Sequence, residues 1–229
     1  MIRMIIKKSI TGDLAEILGL LCAEGSYRDY YSNYFEFDKR RNKHYYRKNH
    51  RQRIMEFNNK NPVLLNFFVD LLQKEFNNYI SRIYISKGDV KRVSIKKTDI
   101  INCILCYTSI GCCKWKVPEA IINGDKNIQI RFIRGYFNGD GCIDKSKDGK
   151  VRFRFTSVNE SGIKSVSEML KTLEINNNLN GPYLRENRRP CFEILILRES
   201  NQTFINKILS HNIAGVKASN VLLAASLPG

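Results

Sequence analysis

Ile17-Leu18-Gly19-Leu20-Leu21-Cys22-Ala23-Glu24-Gly25 and Ile133-Arg134-Gly135-Tyr136-Phe137-Asn138-Gly139-Asp140-Gly141 are the two stretches on which the reading of this chain turns. They share glycine at the third place, a small residue at the seventh, an acid at the eighth and glycine at the ninth. Each reads as the end of an apolar helix. On a helix Gly19 and Ala23 lie on one face, and so do Gly135 and Gly139. Small residues at that spacing let two helix backbones approach closely. Gly25 and Gly141 stand where a left-handed C-cap residue would go. Glu24 and Asp140 then fall in the last turn, where the helix dipole disfavours negative charge by about 0.3–1 kcal/mol. With the helices side by side, both carboxylates meet at one end and require a compensating cation. Paired carboxylates beside helix-end carbonyls suit Mg²⁺ or Ca²⁺. Such ions can activate a water and stabilise the leaving oxygen of a phosphodiester.

Around these stretches lie 229 residues, 43% hydrophobic, with 38 Lys and Arg against 22 Asp and Glu and a net charge of +16. That length suits one large domain or two small ones. The positive surplus predicts a polyanionic partner, without separating DNA from RNA or an anionic membrane. No apolar run is long enough to cross a membrane as a helix, so no membrane partner is expected. Met1 to Ile10 is too short and too interrupted by lysine to be a signal peptide. The three histidines, His44, His50 and His211, form no ligand or nuclease constellation. Cys103-x-x-Cys106 followed by Cys112-Cys113 offers a zinc reading. The helical, apolar reading of Asp99 to Tyr107 makes those cysteines small core residues instead.

The rest of the chain reads as two copies of one plan, a mixed α+β fold of two αββαββα repeats. In the first, Asp13 and Glu16 resemble a capping box before the helix Leu14–Glu24. A long strand follows over residues 27–38, then a polar hairpin tip at 39–50 and a returning strand from Arg51 to Phe57. Asn61-Pro62 opens a helix, with proline at its first turn. Ile80–Ser86 and Val90–Lys96 form a hairpin around Lys87-Gly88-Asp89, and a helix capped by Thr98 or Asp99 runs to Tyr107. In the second, Cys142–Asp144 pairs with Val151–Ser157, Glu160–Leu173 is a helix, Pro182–Glu186 pairs with Cys191–Leu197, and Ser200–Leu209 is the last helix. Phe57 and Asn61 match Phe155 and Asn159, and Ile104-Leu105 match Ile208-Leu209. The motif offset of 116 residues, Gly19 to Gly135, drops to 98 from Phe57 to Phe155, so the first hairpin is about 18 residues longer. The organisation is a first repeat at 1–107, a linker at 108–125 with a short helix Glu119–Ile122 behind Pro118, a second repeat at 126–211, and a tail at 212–229.

The strands supply a candidate reading face. Lys150, Arg152, Arg154 and Thr156 alternate with Val151, Phe153 and Phe155, which places the cations on one side and the apolar residues on the other. Arg28, Tyr30, Ser32, Tyr34 and Glu36 form the comparable face in the first half. Tyr183, Arg185, Asn187 and Arg189 add another in the second. Two four-stranded antiparallel sheets with such faces make a saddle, and arginine on a β-ribbon can read guanine in the major groove. Cations at the hairpin tips, Lys39 to Lys48, Lys145, Lys147, Arg188 and Arg189, suit phosphates, which position rather than specify.

The paired stretches resemble the signature motifs of the LAGLIDADG homing endonucleases, of the single-chain, two-repeat type, and Lys116-Val117-Pro118 resembles that family's linker. The resemblance implies a monomer that cuts both strands of a long, non-palindromic double-stranded DNA and leaves short 3′ overhangs, in the service of intron mobility. It implies Glu24 and Asp140 as metal-binding catalytic acids, with the carbonyls of Ala23 and Gly139 beside them. Mg²⁺ would support cleavage, and Ca²⁺ binding without cleavage. Lys96 ends a strand as a catalytic lysine does in the family, Arg198 is read as its repeat mate, and Asn59 and Ser157 are placed to orient water. Glu24 departs from the usual aspartate, and Cys22 and Asn138 replace the usual acid at the sixth place. An intron RNA maturase and a catalytically inactive DNA-binding regulator share the fold and stay open as alternatives. With no splicing-domain motif, a free-standing intron-encoded protein is expected, in the cytoplasm of a prokaryote or archaeon or in an organelle matrix.

Overall fold

Helix α1 (Gly12–Glu24) starts where the Oγ1 of Thr11 accepts the Leu14 amide at 3.0 Å. The capping box expected from Asp13 and Glu16 therefore does not form: Thr11 is the cap, and both acids turn sideways to α5 (Lys126–Asp140). The computed structural model describes residues 10–77, 79, 83–85, 91–145, 149–184 and 186–210. The N-terminal arm, the whole Lys87-Gly88-Asp89 hairpin turn, Lys147, Arg185, His211 and the 212–229 tail lie outside the described residues.

α1 and α5 are buried almost all round, as helices at the centre of a fold must be. Their crossing is set by the glycines. A Cβ on Gly19 would overlap the Phe132 carbonyl and lie 2.8 Å from the Tyr136 nitrogen. A Cβ on Gly135 would overlap the Glu16 carbonyl. Glu16 and Phe132 are themselves 116 residues apart, so the two contacts are mates under a pseudo-two-fold axis between the helices.

Each helix runs straight into a strand. Gly25 and Gly141 have φ −84° and −69° with ψ near 150°, extended rather than left-handed. The expected C-cap conformation is thus corrected: glycine is needed for space. A Cβ at either would strike the carbonyl four residues back, of Leu21 or Phe137.

From α1 follow β1 (Gly25–Asp38), β2 (Lys43–Asn59), α2 (Pro62–Glu75), β3 (Ile83–Ile85), β4 (Lys91–Ile95) and α3 (Thr98–Leu105). After the short α4 (Glu119–Ile122) and α5 come β5 (Gly141–Lys145), β6 (Val151–Ser157), α6 (Glu160–Thr172), β7 (Asn177–Tyr183), β8 (Cys191–Ile196) and α7 (Asn201–Phe204). α7 is entered through a 3₁₀ turn at Arg198–Ser200 and continues as a π-helical turn over Ile205–Leu209. The sheets have equivalent antiparallel orders, β1-β2-β4-β3 and β5-β6-β8-β7. Gly25 lies opposite Phe57, and Gly141 opposite Phe155. Asn61 and Asn159 cap α2 and α6 through their side-chain oxygens. The first hairpin spans 35 residues (25–59) against 17 (141–157), the difference of 18 expected from the offsets.

Two strands and one helix cap differ most from expectation. β2 begins at Lys43 rather than Arg51, so the tip is a four-residue turn at 39–42. Both faces of that arm meet solvent, which removes the alternation that marks a strand. Cross-strand ring pairs support it instead: Phe35–Tyr46 at 5.1 Å and Phe37–His44 at 4.8 Å. β7 covers 177–183 rather than 182–186. Its asparagine run reads as loop, but Asn177 is buried with its amide bonded to Ser167 and to the Ile175 carbonyl. α3 has Lys97 at its cap position, with no side-chain cap from Thr98 or Asp99. Cys103 is half-buried against the core, whereas Cys106 is exposed and so is not a core residue.

The linker is held by Trp115, which is 1% exposed and packs on Tyr136 at 5.1 Å. The Asn159 amide donates to the Trp115 carbonyl at 2.6 Å. Trp115→Ala is expected to lower the unfolding free energy by about 3–5 kcal/mol, measured as a fall in the urea midpoint.

Candidate active site and nucleic-acid interface

The close approach of α1 and α5 continues to their C-termini. A Cβ on Gly139 would overlap the Ala23 Cβ and stand 3.3 Å from Glu24 Cγ. Glu24 and Asp140, the last residues of the two helices, are therefore brought to one end of one interface, both partly exposed. The charge of Asp140 is felt across it. Burial, and then that charge, push the Cys22 thiol far above its ordinary value, and the same two causes raise the Tyr136 phenol. Asn138, mate of Cys22 and 1% exposed, has neither amide atom hydrogen-bonded. That leaves polar capacity next to Gly139 and Asp140. Two carboxylates beside two helix-end carbonyls make a hard oxygen-rich set, which fits a divalent cation completed by water or phosphate. Among the described residues no three His, Cys, Asp or Glu side chains cluster as a metal site.

The flanking candidates fall into three kinds. Asn59 and Ser157 are equivalent: Asn59 Oδ1 accepts the Asn61 amide at 2.8 Å, and Ser157 Oγ accepts the Asn159 amide at 3.1 Å. Both oxygens thus fix the strand-to-helix turns. Lys96 is exposed just past β4, and lines a concavity of about 370 Å³ with His50, Arg51, Gln52, Arg53 and Thr98. Arg198 is exposed at the start of the 3₁₀ turn. The sheet register corrects its pairing. Val93 lies opposite Phe57, and Ile194 opposite Phe155, so the mate of Lys96 is Leu197 and that of Arg198 is Lys97.

On the strands the expected alternation is present. Phe153 and Phe155 are fully buried against the helices, and Arg152, Arg154 and Thr156 occupy the opposite face with Lys150 at its edge. Arg28, Tyr30 and Ser32 pair with Ile54, Gln52 and His50, and Tyr34 sits edge-on to His50 at 5.7 Å. Asn187 is exposed in the β7–β8 turn with a left-handed φ of 56°. Arg189 donates to the sulfurs of Cys112 and Cys113 at 3.2 and 2.8 Å, tying that hairpin to the linker.

Charge pairing was not legible in the sequence. Arg134 makes a bidentate pair with Glu16 at 2.8 and 2.9 Å, with both residues buried. Arg131 joins Glu16 at 3.0 Å and also Asp13. On the sheets, Glu56 holds Arg28 at 2.6 Å and Arg92 at 3.4 Å, while Arg154 is held by Asp144 at 2.6 Å and Glu193 at 2.7 Å. Bonds from Arg51 hold the exposed Asp29 carboxyl down at about 2. The usable signal is arginine at i and i+3, Arg131 and Arg134, among the apolar residues of a signature helix.

Residues 127–209 match the family model of the LAGLIDADG-like domain. No curated protein matches the chain by sequence. Among solved structures, mesophilic variants of the homing endonuclease I-DmoI align over 95% of this chain and 100% of theirs, at 21% identity and a TM-score of 0.65. I-DmoI in complex with DNA and Mn aligns over 88% and 98%, at 21% identity and 0.59. The I-LtrWI LAGLIDADG homing endonuclease bound to target DNA aligns over 92% and 87%, at 16% identity and 0.56. Equivalent repeats, a shared central helix pair and these alignments agree: residues 127–209 form a LAGLIDADG-like domain, and the whole chain takes the single-chain, two-repeat LAGLIDADG fold.

Proposed function

We propose that this protein is a site-specific, divalent-metal-dependent DNA endonuclease that acts as a monomer on a long, asymmetric duplex. The observation that carries the reading is the meeting of Glu24 and Asp140 at one end of the α1–α5 interface, at the root of two cation-bearing sheets. Relatives of the same fold are described as homing endonucleases, and one as bound to DNA with Mn.

Glu24 and Asp140 would hold the cation, with the carbonyls of Ala23 and Gly139 as neighbouring ligands. A divalent ion there supplies Lewis-acid neutralisation at a phosphodiester and makes water more acidic. The chain does the rest by position. Helix ends hold the two acids fixed, so little reorganisation is needed as charge develops. Asn59 and Ser157 keep the strand-to-helix turns in place, and Lys96 adds a cation beside the reading face. Arg28, Tyr30, Ser32 and Tyr34 in one repeat, and Lys150, Arg152, Arg154 and Thr156 in the other, lie along the grooves. Arg185, Asn187 and Arg189 extend the second face. Mg²⁺ is the proposed working ion, Ca²⁺ a binding-only substitute, short 3′ overhangs the product, and intron mobility the use.

A randomised duplex library incubated with the protein and Mg²⁺, then sequenced at the cut ends, tests this reading. Recovery of one long asymmetric site cut on both strands supports it. Retention of duplex without cutting, whichever metal is supplied, would instead indicate a binding protein on the same fold.

A further inference from the structure

The two sheets carry the same three-residue cluster with its charges inverted. Positions are counted from the equivalent cross-strand trios Gly25–Phe57–Val93 and Gly141–Phe155–Ile194. Three residues beyond the glycine stand Arg28 and Asp144. One residue before the phenylalanine stand Glu56 and Arg154. One residue before the third member stand Arg92 and Glu193. In the first repeat a central acid is gripped by two arginines, at 2.6 and 3.4 Å. In the second a central arginine is gripped by two acids, at 2.6 and 2.7 Å. The first cluster carries a net positive charge. Arg152 also reaches Asp144 at 3.3 Å, so the second, with Arg152 counted, is neutral. Asp144 Oδ1 and the Nε atoms of Arg92 and Arg154 make no hydrogen bond.

Exposure shows what each presents. Glu56 is 8% exposed while Arg28 and Arg92 are 53% and 39%, so the first cluster shows guanidinium groups fixed from beneath. Ser94 adds a hydrogen bond to Glu56 at 3.1 Å. In the second, Arg154, Asp144 and Glu193 are 28%, 27% and 16% exposed, a mixed donor and acceptor surface. Fixed guanidinium groups match the O6 and N7 acceptors of guanine, whereas carboxylates accept from the amino group of cytosine. Both clusters begin three residues past the glycines that follow Glu24 and Asp140. They therefore face base pairs near the centre of a bound duplex, one in each half-site.

We propose that these inverted triads set the asymmetry and orientation of the target. The first repeat takes a half-site with guanine near the centre. The second takes one offering an exocyclic amino donor, cytosine N4 foremost, at the mated position. Glu56, Arg92, Asp144 and Glu193 thereby become specificity-determining residues together with Arg28 and Arg154. The inference rests on the DNA-binding reading above.

The test is selection of duplexes retained in Ca²⁺ from a randomised library, by the wild type and by Arg28→Asp/Glu56→Arg/Arg92→Glu. This variant gives the first repeat the second repeat's triad while keeping every charge paired. The expected result is that base preference at the central position of the first half-site changes on the order of tenfold toward that of the second, with preferences elsewhere kept. The reverse exchange, Asp144→Arg/Arg154→Glu/Glu193→Arg, should move the second half-site toward guanine, and serves if the first variant does not fold. Unchanged preference at both positions in folded variants of a protein that selects a site overturns the inference alone. Failure of the wild type to retain any duplex overturns the inference together with the DNA-binding reading.

Discussion

Glu24→Gln/Asp140→Asn is expected to abolish cleavage while leaving folding and duplex binding in place. The substitutions keep size and shape and remove only the two charges that hold the cation. Loss of its charge stabilisation, at about 4 kcal/mol or more, lowers the cleavage rate roughly a thousandfold or beyond. Each carboxylate sits in the last turn of its helix, where the dipole makes a negative charge unfavourable by about 0.3–1 kcal/mol. The metal-free variant should therefore melt close to the wild-type temperature. Cleavage time courses on the selected site, with thermal melts in EDTA, check both halves. A variant that cuts at the wild-type rate would remove the acids from the chemistry, and one that melts far lower would make them structural.

Arg134→Met is expected to be the most damaging single change to the fold. Glu16 is fully buried, and its partners are Arg134 at 2.8 Å and the partly exposed Arg131 at 3.0 Å. Removing Arg134 leaves a buried carboxylate short of its bidentate partner, at a cost of about 3–5 kcal/mol. In a chain of this size that corresponds to roughly 6–20 °C of melting temperature. Glu16→Leu/Arg134→Met replaces the pair by apolar groups and should recover most of the loss, because a buried ion pair gains little over good apolar packing. Thermal melts of wild type, single and double variants decide this. A single variant as stable as the wild type would show that Arg131 alone satisfies Glu16.

These sites were legible to different degrees, for physical reasons. The signature glycines and the acids behind them could be read because close helix packing demands small residues at i and i+4, and only one face of a helix offers that spacing. The Lys150–Thr156 strand could be read because one face meets Phe153 and Phe155 in the core and the other does not. The β1–β2 arm was underestimated because neither of its faces is buried. Glu16 reads as a capping acid in the sequence because its partner Arg134 is 118 residues away. The inverted triads stayed hidden for a related reason. Alternation tells which face a residue occupies, but a diagonal contact such as Arg28–Glu56 needs the register that sets Gly25 opposite Phe57. The same register moved Arg198 from beside Lys96 to the position of Lys97.

If Glu24 and Asp140 at the two helix ends make one cation site, metal uptake by the protein–duplex complex depends on both acids. Mn²⁺ would be titrated into the protein–duplex complex, and the signal of free Mn²⁺ followed by electron paramagnetic resonance, for the wild type and for Glu24→Gln/Asp140→Asn. The wild-type complex is expected to remove Mn²⁺ from solution with a defined stoichiometry, and the double variant, still bound to duplex, is not. Equal uptake by both complexes would place the metal elsewhere and overturn the proposed site.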